Sequence, residues 1–435
     1  MTGVEKKEVK KIKGLEDIFN LYLYSEKPYL KGFIDLNEAT YTYKEKSSLK
    51  LTLKSEFREK EIEISSLDMK WNGSEILGNL KIEKRNKYVF IKGSMSGDYA
   101  DFKAMIKKKE GEKASSEDFF KRLEKFPFLA EIDFKINNVV LPTFHKIDKV
   151  KGYLSLDSTK KLLFADIPEV HFCGLNLHLL YERDPQNQYS YLEIMPSKGE
   201  LLDLFSCLYP EEMPKVILEG PFELSGYFYA EGDQKDFMIK STGEINLKSH
   251  NGYLYRAPLI ARVLAYISPI DLFRGKVPNL ENRLLEYDEL DFKSFIQDED
   301  LKIDTAFLSA IGFRMFGEGD VNLENKKLYL TFYVSPFKTL DILIEKVPYL
   351  GSWILGKPRM LIYFPLQVIG TYEKYNIIPL HPSSIGKGIF TFIFRFFGIS
   401  EDVFQKPPEL EEFKKKEWLL KDHKKENEKN STSSP

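Results

Sequence analysis

The sequence predicts a mainly β protein built on one long antiparallel sheet. Three observations predict it. Apolar residues recur at every second position over most of residues 20 to 375, the period of a half-buried strand. Short turn signals such as Asn72-Gly73, Glu110-Gly111, Glu231-Gly232-Asp233 and Asn251-Gly252 separate the runs. Aromatic residues make up 14% of the chain, nearly all Phe and Tyr, which favour strands and fill broad apolar surfaces. Turns this short join neighbouring strands as hairpins, and hairpins are antiparallel.

Residues 1–19 read as a polar segment. Met1 to Gly14 is rich in Lys and Glu and has no apolar run of signal-peptide type. Residues 20–215 read as repeated hairpins. Here Leu49, Leu51 and Leu53 alternate with Lys50, Thr52 and Lys54; Ile132, Phe134 and Ile136 alternate with Asp133 and Lys135; and Leu175, Leu177, Leu179 and Tyr181 form a further run. Two helices interrupt them. Ser115–Phe126 opens on Ser-Ser-Glu-Asp, and Ser197–Leu208 has Ser197 and Glu200 at capping-box spacing.

Residues 216–382 form a second β region. A helix over Pro258–Ile267 places Leu259, Val263, Leu264 and Ile267 on one side, with Pro258 in its first turn. Leu328, Leu330, Phe332 and Val334 follow the turn Glu324-Asn325-Lys326-Lys327. Phe337–Val347 reads as a helix stopped by Pro348. Met360, Ile362, Phe364, Leu366 and Val368 make a long strand. Each short helix reads as a cover packed on the sheet. Residues 383–400 are different. In Ser383–Phe397 the apolar side chains, among them Phe390, Phe392, Ile393, Phe394, Phe396 and Phe397, run nearly all round a helix too short to span a bilayer. That helix must bury against the sheet or touch a lipid surface. Residues 401–435 pass Pro407-Pro408, become highly charged and read as disordered.

Composition narrows the function classes. The 435 residues carry 64 cations and 66 anions, a formal net charge of -2. A dedicated nucleic-acid binder would carry a basic excess. Only 11 cations are Arg against 53 Lys, which points away from bidentate phosphate reading. No window reaches the roughly 18 apolar residues of a membrane span.

Chemistry is sparse. Cys173 and Cys207 cannot build a four-thiolate zinc site. The spacing leaves open whether they pair in an oxidising compartment or stay reduced. His171 and Cys173 share a strand face, while His178 falls on the other, so three metal ligands do not converge. There is no G-x-S-x-G elbow, H-E-x-x-H, G-x-G-x-x-G or Walker A pattern. Glu211-Glu212 and Asp298-Glu299-Asp300 read as solvated polar stretches. No catalytic residue, metal or cofactor is expected.

A many-stranded antiparallel sheet has an apolar face to hide, and few helices are available to cover it. About 25 to 30 strands at about 4.8 Å would make a sheet of order 120 to 140 Å. Periodicity alone favours closing that face into a barrel or sandwich core. The other solution is an open, strongly twisted half-pipe whose apolar inner face takes acyl chains, at about 0.8 kcal/mol per buried CH₂.

A resemblance favours the half-pipe. Residues 220–252, GPFELSGYFYAEGDQKDFMIKSTGEINLKSHNG, resemble the C-terminal region of the AsmA-like family, with the G-x-I-x-L strand at Gly243-Glu244-Ile245-Asn246-Leu247 and the turn at Asn251-Gly252. The segment APLIARVLAYISP is similar to its next short helix. FLSAIGFRMFGEGDVNLENKKLYLTFYVSP, with Gly317, Gly319, Asp320 and Leu323, resembles its closing hairpin. EKVPYLGSWILG, with Pro348, Leu350 and Gly351, resembles its Pro-x-(I/L)-G segment, before a strand ending at Val368-Ile369-Gly370-Thr371. The resemblance covers about residues 215–385 and weakens to hairpin style over 20–215.

It implies a taco-like curled sheet, to which the residues themselves add the C-terminal apolar helix. It also implies a non-enzymatic lipid-transfer protein of the bacterial envelope, carrying phospholipid between inner and outer membranes through the periplasm. Family members are anchored in the inner membrane by an N-terminal helix; no such helix precedes Val4 here, a departure from the pattern. The expected groove residues are Leu328, Leu330, Phe332, Met360, Ile362, Phe364, Leu366 and Val368. The Phe390–Phe397 aromatics would cap the groove or meet a membrane surface. Expected partners are phospholipids, a membrane surface and inner- or outer-membrane proteins, with no nucleic acid. The alternative is a structural or assembly factor for outer-membrane β-proteins, working by edge pairing. An enzyme acting on carbohydrate would need a carboxylate pair on one sheet face, and none converges.

Overall fold

The computed structural model describes residues 32–43, 47–58, 61–71, 73–85, 88–101, 127–141, 146–209, 217–232, 241–255, 257–265, 285–335 and 363–380. Among them lie twenty strands, in one large and mostly antiparallel sheet, and two short helices. The expected helices at 115–126, 337–347 and 383–397, and the polar ends at 1–19 and 401–435, lie outside the described residues. The chain divides into two compact units.

The first unit opens with five strands: β1 (Gly32–Tyr43), β2 (Ser47–Arg58), β3 (Glu61–Trp71), β4 (Ser74–Arg85) and β5 (Tyr88–Asp101). Each pairs antiparallel with the next. Trp71 of β3 pairs with Ser74 of β4, and Gly73 just before Ser74 has φ 83°, the left-handed backbone that a tight hairpin uses. On one face Phe57, Ile62, Ile64, Leu67 and Ile82 form a buried cluster, flanked by Leu51, Leu53, Leu80 and Ile91.

Hairpins join most neighbouring strands, as the short turns predict, but β6 (Phe128–Ile136) joins β5 in parallel. Parallel neighbours need a long connection, and some 26 residues separate β5 from β6. The two-residue β7 (Val139–Val140) also runs parallel to β5. Antiparallel order resumes with β8 (Lys146–Asp157), β9 (Leu162–Phe172), β10 (Leu175–Arg183) and β11 (Gln188–Glu200). The β9–β10 turn is Cys173-Gly174, with φ 52° and 77°, the left-handed pair that a tight hairpin requires.

The helix expected from Ser197 starts four residues later, as α1 (Leu201–Leu208). Ser197 to Glu200 instead continue β11, pairing with Leu224 to Pro221 of β13 (Pro221–Glu231). The Ser197 hydroxyl caps nothing: it accepts the Asn176 N–H at 3.0 Å and donates to the Met195 carbonyl at 2.8 Å. α1 buries Leu201 and Leu204. Its Cys207 is bonded to Cys173, with Cα atoms 5.5 Å apart, which settles the question that spacing left open.

The second unit holds β12 (Ile217–Glu219), the later part of β14 (Ser241–Tyr255), α2 (Pro258–Ala265) and six further strands. These are β15 (Leu285–Gln297), β16 (Asp300–Ala310), β17 (Phe313–Asn322), β18 (Lys327–Ser335), β19 (Phe364–Thr371) and β20 (Tyr375–Pro379). They pair antiparallel in sequence order. Asn251-Gly252 is not a turn. It lies inside β14, where Asn251 at φ 52° kinks a strand that continues to Tyr255.

Strand glycines face large neighbours in both units. Gly93 opposes Leu80 and Ile132, Gly152 opposes Phe134, Gly226 opposes Ile194, and Gly317 opposes Phe332. A Cβ on Gly93 would lie 2.1 Å from the Asn79 carbonyl oxygen, so a side chain there forces the neighbouring backbone away.

Candidate functional site

The expected groove residues that the structure describes fall on one face of the second unit. Register places Phe332 opposite Leu366, Leu330 opposite Val368 and Val334 opposite Phe364. Leu328, Leu330, Phe332, Leu366 and Val368 are buried in one cluster with Met315, Leu308 and Tyr287, while Phe364 is half-buried. Val263 of α2 belongs to the same cluster, and Leu259, Ile260 and Leu264 pack against it. Apolar alternation thus gives a closed core here, with a helix among its members. Met360, Ile362 and the Phe390–Phe397 aromatics lie outside the described residues.

The first unit differs. The pairings align Ile91, Met95, Ile132, Phe134, Leu154 and Ile167 on one face, with Leu179, Leu192 and Ile194 continuing it. Each remains half-buried rather than buried. Sequence reading identified Ile132–Ile136 and Leu175–Tyr181 as strands but not as a candidate surface. The signal was present in their period. What it lacked was the cross-strand register, which alone shows that separate runs share a face.

The opposite face of this unit is charged. Arg58 lies 3.0 Å from Glu56, 3.8 Å from Glu61 and 3.4 Å from Glu63. Lys81 lies 3.0 Å from Glu61 and 3.2 Å from Glu83. These cations solve a register problem: Glu61 stands directly opposite Glu83, and Glu56 opposite Glu63. The hydrogen bond from Arg58 holds the Glu56 carboxyl below its ordinary range, and those from Arg85 and Lys81 do the same for Glu83. Lys149 lowers Glu169 similarly, by direct hydrogen bonding.

His178 projects from the same charged face. Its Nε2 is 2.9 Å from Asp166 and its Nδ1 is 3.7 Å from Glu193, so two strands supply its neighbours. In the second unit, burial and then Glu324 raise Glu299, and burial raises Asp320. Among the described residues no three His, Cys, Asp or Glu side chains gather to hold a metal ion, and no helix is long and apolar enough to cross a membrane. No protein-family model, curated protein or solved structure matches this chain.

Proposed function

We propose that the chain is a non-enzymatic lipid-binding and lipid-transfer protein of the bacterial cell envelope, carrying phospholipid acyl chains along an apolar β-groove between inner and outer membrane. The observation that carries this reading is the amphipathic sheet of the first unit. One face presents Ile91, Met95, Ile132, Phe134, Leu154 and Leu192 half-exposed, while the other carries ion pairs such as Lys92–Glu131 and Lys149–Glu169. A surface so divided suits an acyl chain on one side and water on the other. A chain of about sixteen carbons gains roughly 12 kcal/mol of gross transfer free energy at about 0.8 kcal/mol per CH₂. In this proposal the first unit holds the lipid, and the Leu328–Val368 cluster of the second is its structural core. The half-pipe curl, the C-terminal apolar helix as cap or membrane contact, and membership of the AsmA-like family belong to the same proposal. The strand bulges support the curl, because each bends its strand and strengthens the twist. The Cys173–Cys207 bond supports an oxidising compartment such as the periplasm.

Native mass spectrometry of the purified chain, with lipid analysis of an organic extract, tests this. Phospholipids should co-purify, and the double variant Leu154→Asp, Leu192→Asp should lose most of them while keeping its circular dichroism spectrum. Lipid content unchanged in that folded variant would exclude this face. A lipid-free, monodisperse wild-type chain would exclude the function and direct attention to an assembly factor for β-proteins.

A further inference from the structure

The charged face of the first unit carries a patch that the lipid reading does not use. Register gathers Tyr153 of β8, Phe164 of β9, His178 of β10, Tyr189 and Tyr191 of β11, and Tyr229 of β13 on that face. The rings touch in pairs. Tyr153 and Phe164 have centroids 6.4 Å apart, His178 meets Tyr191 edge-on at 6.3 Å, and Tyr189 stacks on Tyr229 at 6.4 Å. Phe164 and Tyr229 are each 37% exposed, and Tyr227, on the same strand as Tyr229, is 41% exposed. Single exposed aromatics are ordinary on a strand, but a contiguous group of them marks an interaction surface.

Four carboxylates stand on the same face: Asp166, Glu182, Glu193 and Glu231. The Tyr229 hydroxyl donates to Glu231 at 2.6 Å. A phenol that donates to a carboxylate has a more electron-rich ring, and such a ring attracts a cation over its face more strongly. Even with a proton on His178, which lies between Asp166 and Glu193, the patch keeps an excess of negative charge. Lys149 and Lys151 lie further along the face, Lys149 bound to Glu169 and Lys151 opposite it, and the carboxylates still outnumber the cations.

We infer that this patch docks an extended, arginine-bearing peptide segment of a partner protein. Charge complementarity selects a cationic partner, and the exposed rings select a planar one. Guanidinium groups stack on tyrosine and bind carboxylates through two parallel hydrogen bonds, which an ammonium cannot do. Spacing selects an extended chain. Tyr189 and Tyr191 are two residues apart on one strand, about 6.8 Å, and an extended peptide repeats its own same-side residues at that distance. The inference stands independently of whether the opposite face carries lipid.

The test is a fluorescence-anisotropy titration of the full chain with a labelled seven-residue peptide carrying Arg at alternate positions. Controls are the same peptide with Lys for Arg, and a neutral hexasaccharide. Saturable 1:1 binding of the arginine peptide is expected, several-fold tighter than that of the lysine peptide. Tyr191→Thr with Tyr229→Thr should weaken it about tenfold, while Tyr229→Phe, which keeps the ring, should stay within about twofold. Equal affinity for both peptides, unchanged binding by the double variant, saturable hexasaccharide binding lost in that variant, or no saturable peptide binding would each overturn the inference. If the threonine variant loses its circular dichroism spectrum, Glu193→Gln with Glu231→Gln decides. A loss of about tenfold supports the inference, and unchanged binding overturns it.

Discussion

Tyr287 is 1% exposed, yet its hydroxyl is fully used. It gives its proton to the Glu219 carbonyl at 2.8 Å and accepts from the Ser249 hydroxyl at 2.8 Å, joining β12, β14 and β15. The ring has room only because Gly252 lacks a side chain: a Cβ there would lie 2.3 Å from the Tyr287 hydroxyl and 2.0 Å from the Glu219 carbonyl oxygen. Tyr287→Phe should therefore cost about 1 to 3 kcal/mol by leaving two buried groups short of a partner, and Gly252→Ala should cost at least as much. Urea midpoints measure both. The sequence pointed to Gly252 for another reason, as half of an Asn-Gly turn. That dipeptide allows a left-handed backbone in a hairpin loop or in a bulge, and only the continuing pairing of β12 with Leu254 and Tyr255 distinguishes the two. Two phenols carry a pH prediction. The hydrogen bond to Glu231, then burial, pushes Tyr229 up to about 12, and burial, then Glu318, pushes Tyr333 up to about 12. Their folded values lie above the ordinary 10, so their contribution to stability is complete below pH 10 and is lost as pH rises through 12. Absorbance at the phenolate band should show a class of tyrosines titrating last, and Tyr229→Phe should reduce it.

At the scale of elements, the disulfide ties the β9–β10 turn to α1 across 34 residues of sequence. The chain-entropy relation gives about 4 kcal/mol for a loop of that length. Cys173→Ser with Cys207→Ser should lower the denaturation free energy by about that amount, measured as a shift in the urea midpoint at constant slope. The helix α1 also shows where local pattern loses to tertiary context. Ser197 and Glu200 have the spacing of a cap, but β13 offers their backbone groups a complete ladder, so the strand runs to Glu200. Helix α2 kept its expected start at Pro258, because a proline in the first turn gives up no intrahelical hydrogen bond. The parallel β5–β6 pair could not be read from short turns, since it depends on a long connection. The charged ladder of β2–β4, together with the Lys149–Glu169 pair of β8 and β9, makes its own prediction. Glu56, Glu83 and Glu169 have lowered folded values, so their stabilisation is present above the ordinary carboxylate range and is lost as pH falls through those lowered values. The melting temperature should fall as pH drops below the ordinary carboxylate range. Added salt should flatten that dependence, because these side chains face water.

For the molecule as a whole, the abundance of strands and their dominant antiparallel order were legible, because period-two alternation and two-residue turns are local. Which apolar runs are closed and which stay half-exposed was not. Leu328–Val334 and Ile132–Ile136 alternate alike, yet the first is buried in a cluster that includes α2 and the second is not. The difference lies in the neighbours, and a single strand carries no mark of them. If the half-exposed face holds lipid, the two units should respond differently to it. Hydrogen exchange after lipid extraction should quicken in β6, β8 and β10 and stay unchanged in β17 and β18. Uniform change across both units would count against a division of labour.

A sheet of many hairpins with the same alternation has a problem of identity during folding. Each strand offers nearly the same stripe to any partner, and a shift of two residues preserves the inside-outside pattern. Gly93 and Gly317 reduce that ambiguity, because the Leu80 and Phe332 side chains occupy the space a Cβ would need. Each is a notch cut for one particular knob, and in the shifted pairing the knob meets a side chain instead. Filling one, as in Gly93→Val, should trap misaligned hairpins and appear as slow phases in refolding before it appears as a change in any binding property.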